Sequence, residues 1–543
     1  MKISRNWCRA ARMLALLLGL HGAEGMAAAP MEQAAPVVGA PSGHYRGVAD
    51  DSMRIFRGIR YAAPPMGPLR WRPPQEMPRS DNTQDATRFG AVCPQSISKA
   101  QAGFLNGREQ SEDCLTLNIW SDGASSEPRP VMVYIHGGFY TSGSGSFDSF
   151  DGRSLARKGM VVVTFNYRIG VLGFFAHPAL TRAAAPDEPL VNFALMDQIA
   201  ALRWIQRNIS AFGGDPRKVT IFGMSAGGQS VNYLMATPSA HDLFQRAISE
   251  SSAISTFQPY RLSTPSSGYP SMMQPSGGKP AYEELGRRLA EARGIGDDPG
   301  ATDRLREIPV EWLLDYQGKN LRGAFEPVLD GRLLKESVGE AFRNRREAPV
   351  PYIAGVTDWE GSLSAPFGGA FVALRLASVG MNQADARRFY GEMDDSTLTQ
   401  RVDTDVFLAS QRWLVSRHAQ NGHPSWLYYF SYKLEAHRDQ YPGAPHGAEV
   451  RYVFGTLDGL ARVQDRAMGS TISPADRSMA DIVSGYWVSM AREGNPNSKS
   501  SPTWPAYSPS EDVALELGTE IRMRKVGTEG IRFIDAVFDS GKF

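Results

Sequence analysis

Val219-Thr-Ile-Phe-Gly-Met-Ser225-Ala-Gly-Gly228 reads as a buried strand, then a sharp corner, then the start of a helix. The β-branched and aromatic run 219–222 has the composition of a strand with no polar face. Gly223-Met-Ser225-Ala-Gly227 follows and leads into residues 229–235, which read as helix. The two glycines keep neighbouring backbone clear, so that Ser225 projects its hydroxyl from a strained turn at the top of a sheet. The helix start aims backbone N–H groups, that of Ala226 among them, at negative charge developing there. Glycine and serine are common residues, so the five-residue match alone carries little. The strand before it and the helix after it give it weight.

Upstream, Pro130-Val-Met-Val-Tyr-Ile135 is a second continuous apolar strand, and it runs directly into His136-Gly137-Gly138-Phe139. Two glycines after a buried strand leave backbone N–H groups bare toward a ligand. An ordinary glycine turn beside a core histidine is the competing reading, and pairing with Ser225 disfavours it. Residues 160–167 form another apolar strand, and Leu115-Thr-Leu-Asn-Ile-Trp120 an alternating one. An early strand covers Phe56-Arg-Gly-Ile-Arg-Tyr61 and precedes a proline-fixed loop. Residues 192–209 have helical spacing, with Leu195, Ile199, Leu202, Ile205 and Ile209 on one face. Strand, helix, strand with apolar strands argues for an α/β fold whose parallel sheet is covered on both sides.

The rest of the chain bounds the class. Its 543 residues carry a formal net charge of +1, which points neither to a nucleic-acid partner nor to an acidic tail and leaves small molecules. Lys2, Arg5, Arg9 and Arg12, an apolar run over 13–20 and Ala27-Ala28-Ala29 spell an export signal. Residues 1–29 are therefore expected to leave, and 30–543 to form a single domain that is periplasmic or secreted. The apolar run is too short to span a bilayer, and no later stretch is long and apolar enough. Of three cysteines, Cys8 leaves with the signal. Cys93 and Cys114 remain as an even pair, expected as one disulfide in an exported chain rather than as two buried thiols. Asn208-Ile-Ser210 fits a glycosylation acceptor in helical context and carries little weight.

Together the motifs resemble the type-B carboxylesterase family, the cholinesterase and lipase branch of the α/β-hydrolase fold. The resemblance rests on Glu112-Asp113-Cys114-Leu115-Thr-Leu-Asn118, His136-Gly-Gly-Phe139 and Phe212-Gly-Gly-Asp-Pro216 leading to Phe222-Gly-Met-Ser-Ala-Gly-Gly228. Gly494-Asn-Pro-Asn497 and Trp504-Pro-Ala-Tyr507 extend it to nearly all of the chain after the signal. It implies a large, mostly parallel sheet with helices on both faces and inserted loops and helices that form a gorge. It also implies a serine carboxylic-ester hydrolase that works through an acyl-enzyme on a small to medium, uncharged ester, with no metal or organic cofactor.

A serine, acid, histidine order then names the partners. After the strand 350–356, Asp358 and Glu360 both qualify by position; the family pattern ends in Glu-Gly and selects Glu360. Five histidines follow Ser225: His241, His418, His423, His437 and His446. The family's G-x-x-H-G-x-E stands as Gly443-Ala-Pro-His446-Gly-Ala-Glu449, so His446 is the expected base and His437 a surface residue. Gly137, Gly138 and Ala226 are the expected oxyanion donors.

Departures from the pattern matter too. Met224 stands where most relatives carry glutamate, and the 93–114 loop lacks the tryptophan on which cholinesterases stack choline, so choline esters are disfavoured. Ser252 replaces a family glycine, and its neighbour Ser251 is a candidate for supporting the triad. Residues 263–279, rich in Ser, Pro and Gly, read as a flexible excursion, either a lid or a plain surface loop. The same triad also serves amides, carbamates and specialised natural-product esters. A catalytically dead binding protein on this fold would be expected to have lost a triad member. Oligomeric state is not legible in one sequence.

Overall fold

The apolar runs assemble into one 11-stranded sheet in the computed structural model. The described residues are 35–96, 105, 107–123, 127–252, 259–266, 278–321, 323–370, 372–459, 471–499 and 501–540. In chain order the strands are β1 (Val48–Asp50), β2 (Met53–Arg60), β3 (Thr116–Asp122), β4 (Arg129–Ile135), β5 (Val161–Phe165), β6 (Gly214–Met224), β7 (Arg246–Glu250), β8 (Tyr352–Thr357), β9 (Ser425–Phe430), β10 (Val513–Leu517) and β11 (Ile521–Lys525). Across the sheet they run β11-β10-β9-β8-β7-β6-β4-β5-β3-β2-β1. From β5 through β4, β6, β7, β8 and β9 to β10 every pairing is parallel. The flanking pairings at both edges are antiparallel. This is the mostly parallel sheet expected.

Alternation along the central strands feeds two cores. Val131, Val133 and Ile135 of β4, with Val219 and Ile221 of β6, face one cluster. Met132, Tyr134 and Phe222 face the other. The first is closed by α1 (Phe193–Asn208), α2 (Ala226–Met235) and α3 (Asp395–Gln420). The second is closed by α4 (Val450–Phe454) and α5 (Pro474–Glu493). Cover on both faces explains why β3, read as alternating, is buried along nearly its whole length, Asn118 included. Asn118 meets its burial by bonding: its amide donates to Thr164 Oγ1 at 3.1 Å.

The helix expected at 192–209 forms as α1, and its five apolar residues all enter the first core. Asn208 at its end is fully buried, donates to the Trp204 carbonyl and accepts from Ser42, so it offers no face for glycosylation. Cys93 and Cys114 form the expected disulfide. Closing a loop of 21 residues contributes about 3 kcal/mol by chain entropy. Residues 1–29, expected as an export signal, and residues 267–277 of the Ser/Pro/Gly excursion lie outside the described residues. The base of that excursion is closed by an antiparallel bridge between Ser266 and Lys279. Among the described residues no helix is long and apolar enough to cross a membrane.

Candidate active site

Parallel register brings the glycine loop to the serine. Ile135, the last residue of β4, pairs with Gly223 of β6, so the chain leaves both strands side by side at the same end of the sheet. Ser225 then takes φ 59° and ψ −121°, a conformation costly for a residue with a Cβ and typical of functional corners. The corner tolerates only glycine on either side. A Cβ on Gly227 would stand 2.0 Å from the Ile135 carbonyl oxygen, and one on Gly223 2.6 Å from the same atom. The Ser225 N–H is tied to the Glu250 carbonyl of β7 at 2.8 Å, which fixes the corner from the other flank. Ala226 opens α2, so its N–H has no intrahelical acceptor.

Gly137 and Gly138 lie across from this corner. An ideal Cβ on Gly137 would come within 2.5 Å of the Met224 carbonyl and 3.1 Å of Ser225 Cβ. Gly138 adopts φ 109°, which only glycine takes without strain. The loop is braced from behind by His136, which is buried, stacks on Tyr167 at 4.3 Å and bonds through Nδ1 to the Gly137 carbonyl at 2.9 Å. Burial lowers the His136 pKa to about 4, so it is neutral near pH 7 and acts as a structural brace. The disulfide loop adds a second brace: Gln95 Oε1 accepts from Gly143 N at 2.9 Å, and Gln95 Nε2 donates to the Gly143 carbonyl at 3.0 Å.

The two acids that qualified by position, of which the family pattern selected Glu360, separate cleanly. Asp358 accepts from the Ala444 N–H at 2.6 Å and braces the histidine loop; burial raises its pKa to about 6. Trp359 and Pro445 form a parallel bridge that zips this loop to the end of β8. Glu360 is fully buried and hydrogen-bonds through Oε2 to His446 Nδ1. Its other oxygen accepts from Thr357 N at 2.8 Å and from Ser251 Oγ at 2.6 Å. His446 receives further support from Ser362 Oγ, which accepts its backbone N–H at 2.9 Å, and from Phe407, edge-on at 5.5 Å. Its Nε2 is buried and makes no hydrogen bond, with Ser225 or any other group. Burial acts to lower the His446 pKa, but the Glu360 carboxylate outweighs it, and the pKa is raised above the ordinary 6.5.

His437, expected at the surface, is buried. The short turn Glu435–His437 folds its ring inward, where Nδ1 meets Gln440 Oε1 at 3.0 Å, away from the site. Ser251 lies beside the pair of Glu360 and His446. Its hydroxyl bridges Glu360 and Glu449, the latter at 3.0 Å. Burial and the neighbouring Glu360 push Glu449 up to about 7. A protonated Glu449 can donate to Ser251 Oγ while the Ser251 hydroxyl donates to Glu360, which relieves the repulsion between the two carboxyls. Gln95 and Glu449 as supporting residues were missed in the sequence. Glu449 had a signal, since it closes the motif that selected His446; Gln95 had none.

Beside this arrangement opens a cavity of about 420 Å³ lined by Gly137, Gly138, Met224, His446, Phe147 and Arg451, among others. Gly137, Gly138, Ser225, Ala226, Glu360 and His446 therefore lie at the C-terminal ends of β4, β6 and β8 and in the loop after β9. Among the described residues no group of three or more His, Cys, Asp or Glu is placed to hold a metal ion.

The carboxylesterase family model matches residues 34–375 and 376–533. The chain belongs to the carboxylesterase family. As a member it is a carboxylic ester hydrolase on an α/β-hydrolase fold. This carboxylesterase is 31% identical over 494 residues to the para-nitrobenzyl esterase of Bacillus subtilis (strain 168), covering 88% of its own length and 94% of the relative's. It is also 31% identical over 497 residues to the fumonisin B1 esterase of Sphingopyxis macrogoltabida, covering 88% and 86% of the two chains. Among solved structures, a PNB esterase superposes with a TM-score of 0.76 at 29% identity, over 91% of this carboxylesterase and 98% of that chain.

Proposed function

We propose that Ser225, His446 and Glu360 form the catalytic triad of this esterase, with Gly137, Gly138 and Ala226 donating to the oxyanion. The observation that carries the reading is His446 itself. Glu360 clasps its Nδ1, which leaves Nε2 as the unbonded, proton-accepting nitrogen at the edge of the cavity that the glycine loop also lines. The absent bond to Ser225 is compatible with this role, because such contacts are often loose before substrate binds.

In the proposed cycle Ser225 Oγ attacks the ester carbonyl carbon as Nε2 takes its proton. The carbonyl oxygen becomes an oxyanion held by the three backbone N–H groups, and Glu360 stabilises the imidazolium. The C–O bond to the alcohol breaks as His446 returns the proton to the leaving oxygen. Water then enters by the same route and releases the acid, which restores Ser225. The ester and one water supply every atom exchanged in the two half-reactions. We further infer export to the periplasm or beyond, supported by the basic and apolar N-terminal residues and by the Cys93–Cys114 disulfide.

The test is p-nitrophenol release from acetyl, butyryl and octanoyl esters by the mature chain and His446→Ala. Wild-type turnover that varies with acyl length and nearly vanishes in the variant supports the assignment; activity indifferent to His446 sinks it. Gly137→Ala is expected to lower kcat on these esters by at least about 10²-fold, the scale of one lost oxyanion donor. The added Cβ has to displace the loop from the Met224 carbonyl, because both groups are backbone-fixed. Unchanged kcat in a folded Gly137→Ala chain would remove the glycine loop from the mechanism. The likeness to a fumonisin B1 esterase supports a second reading, a specialised natural-product or xenobiotic ester, with amides and carbamates open to the same triad.

A further inference from the structure

Arg451 is the one charged side chain apart from the His446 imidazole to line the cavity beside the proposed triad, among the described residues. It stands on α4, five positions after His446 in the chain. Its neighbours in the lining include Met224, Phe147, Phe150 and Val450. Among the described residues its guanidinium, with five donors, makes one hydrogen bond: Nη1, which lies beside Gly459, donates to the Thr456 carbonyl at 3.1 Å. Asp148 is the carboxylate whose charge acts on it, and that side chain is 70% exposed and pairs with Arg108 at 3.2 Å. Burial opposes the charge on Arg451, yet an arginine keeps its proton in any protein interior. A half-buried cation among apolar walls is stabilised by an anion that enters the cavity, and the low local dielectric strengthens that pairing.

We propose that Arg451 is a specificity-determining residue that receives a carboxylate carried by the substrate away from the scissile ester, as in a half-ester of a dicarboxylic acid. The planar guanidinium fork matches a carboxylate, and the rest of the lining offers no competing acid. This rests on the esterase reading above and revises the uncharged substrate expected from the sequence. Nothing in residues 446–451 reveals in the sequence that Arg451 lines the cavity. Cationic esters are disfavoured by the same charge.

The test uses two matched pairs under pH-stat titration at low salt. Monomethyl glutarate is compared with methyl pentanoate, which places the carboxylate on the acyl side. 3-Acetoxypropanoate is compared with propyl acetate, which places it on the alcohol side. Wild-type enzyme is expected to favour the acidic member of at least one pair in kcat/KM. In Arg451→Met the acidic-to-neutral ratio is expected to fall by about 10- to 100-fold, mainly through KM, the range for a lost charged hydrogen bond. Arg451→Lys should restore part of it. If Arg451→Met does not fold, glutarate should still inhibit wild-type hydrolysis of methyl pentanoate competitively, at least about tenfold better than 1,5-pentanediol. Hydrolysis of neutral esters with no acidic preference, a ratio unmoved in Arg451→Met, or equal inhibition by glutarate and the diol overturns the inference and leaves the esterase reading standing. Failure to hydrolyse any member of either pair overturns both.

Discussion

Ser225→Ala is expected to lower kcat/KM for p-nitrophenyl butyrate by about 10⁴- to 10⁶-fold, the range for removal of a triad nucleophile. The substitution takes away one oxygen and keeps the Cβ, so the corner at φ 59° carries the same strain before and after. The backbone tie from Ser225 N to the Glu250 carbonyl does not involve the hydroxyl and is retained. Thermal unfolding of the variant should therefore match wild type within a few degrees, while turnover collapses. A loss of activity accompanied by a large drop in Tm would instead point to a broken corner. Residual turnover above the uncatalysed rate is expected, because the glycine loop and the cavity still bind the ester.

Glu360→Gln is expected to cost about 10⁴ in kcat, the scale for neutralising the acid of such a triad. Glutamine fills the same buried volume, but its amide can present N–H to His446 Nδ1. That contact favours the tautomer whose proton sits on Nε2, the nitrogen required as the base. The change also carries a pH signature. The base works only when neutral, so wild-type kcat/KM falls as pH drops through the raised His446 pKa, and its acid limb lies above 6.5. Removing the Glu360 charge takes away the larger influence that holds that pKa up, and leaves burial, which lowers it, against the smaller upward pull of Glu449. The acid limb of the residual activity should therefore move to lower pH. A limb that stays in place, or a loss of less than about tenfold, would mean that Glu360 is not the group that tunes His446.

The sheet was readable because its strands are continuous apolar runs ended by glycine turns, and cover on both faces demands that composition. For β4, β6 and α1 the expected and observed bounds differ by only a few residues. Strand β3 was read with one polar face because Thr116 and Asn118 alternate with apolar residues, whereas both are buried and Asn118 bonds internally. Period-two patterning cannot separate a solvent-facing polar residue from a satisfied buried one. The choice between Asp358 and Glu360 shows the same boundary. Their spacing from β8 admits either; the family pattern selected Glu360, and the fold places Glu360 on His446 and Asp358 on the Ala444 N–H. His437 was misread for a related reason. A three-residue turn decides whether such a ring faces in or out, and three residues carry no periodic signal. Gln95 and Arg451 come from a loop and a short helix far apart in the chain. Their roles depend on tertiary approach, which local pattern does not encode.

The most direct test of the account is to treat the mature chain with diethyl p-nitrophenyl phosphate and map the modified peptide by mass spectrometry. The account predicts one equivalent of p-nitrophenolate released per chain, a single diethylphosphoryl group on Ser225, and loss of ester hydrolysis in proportion to labelling. Labelling at another residue, or full ester hydrolysis by chains that carry the group on Ser225, would contradict it.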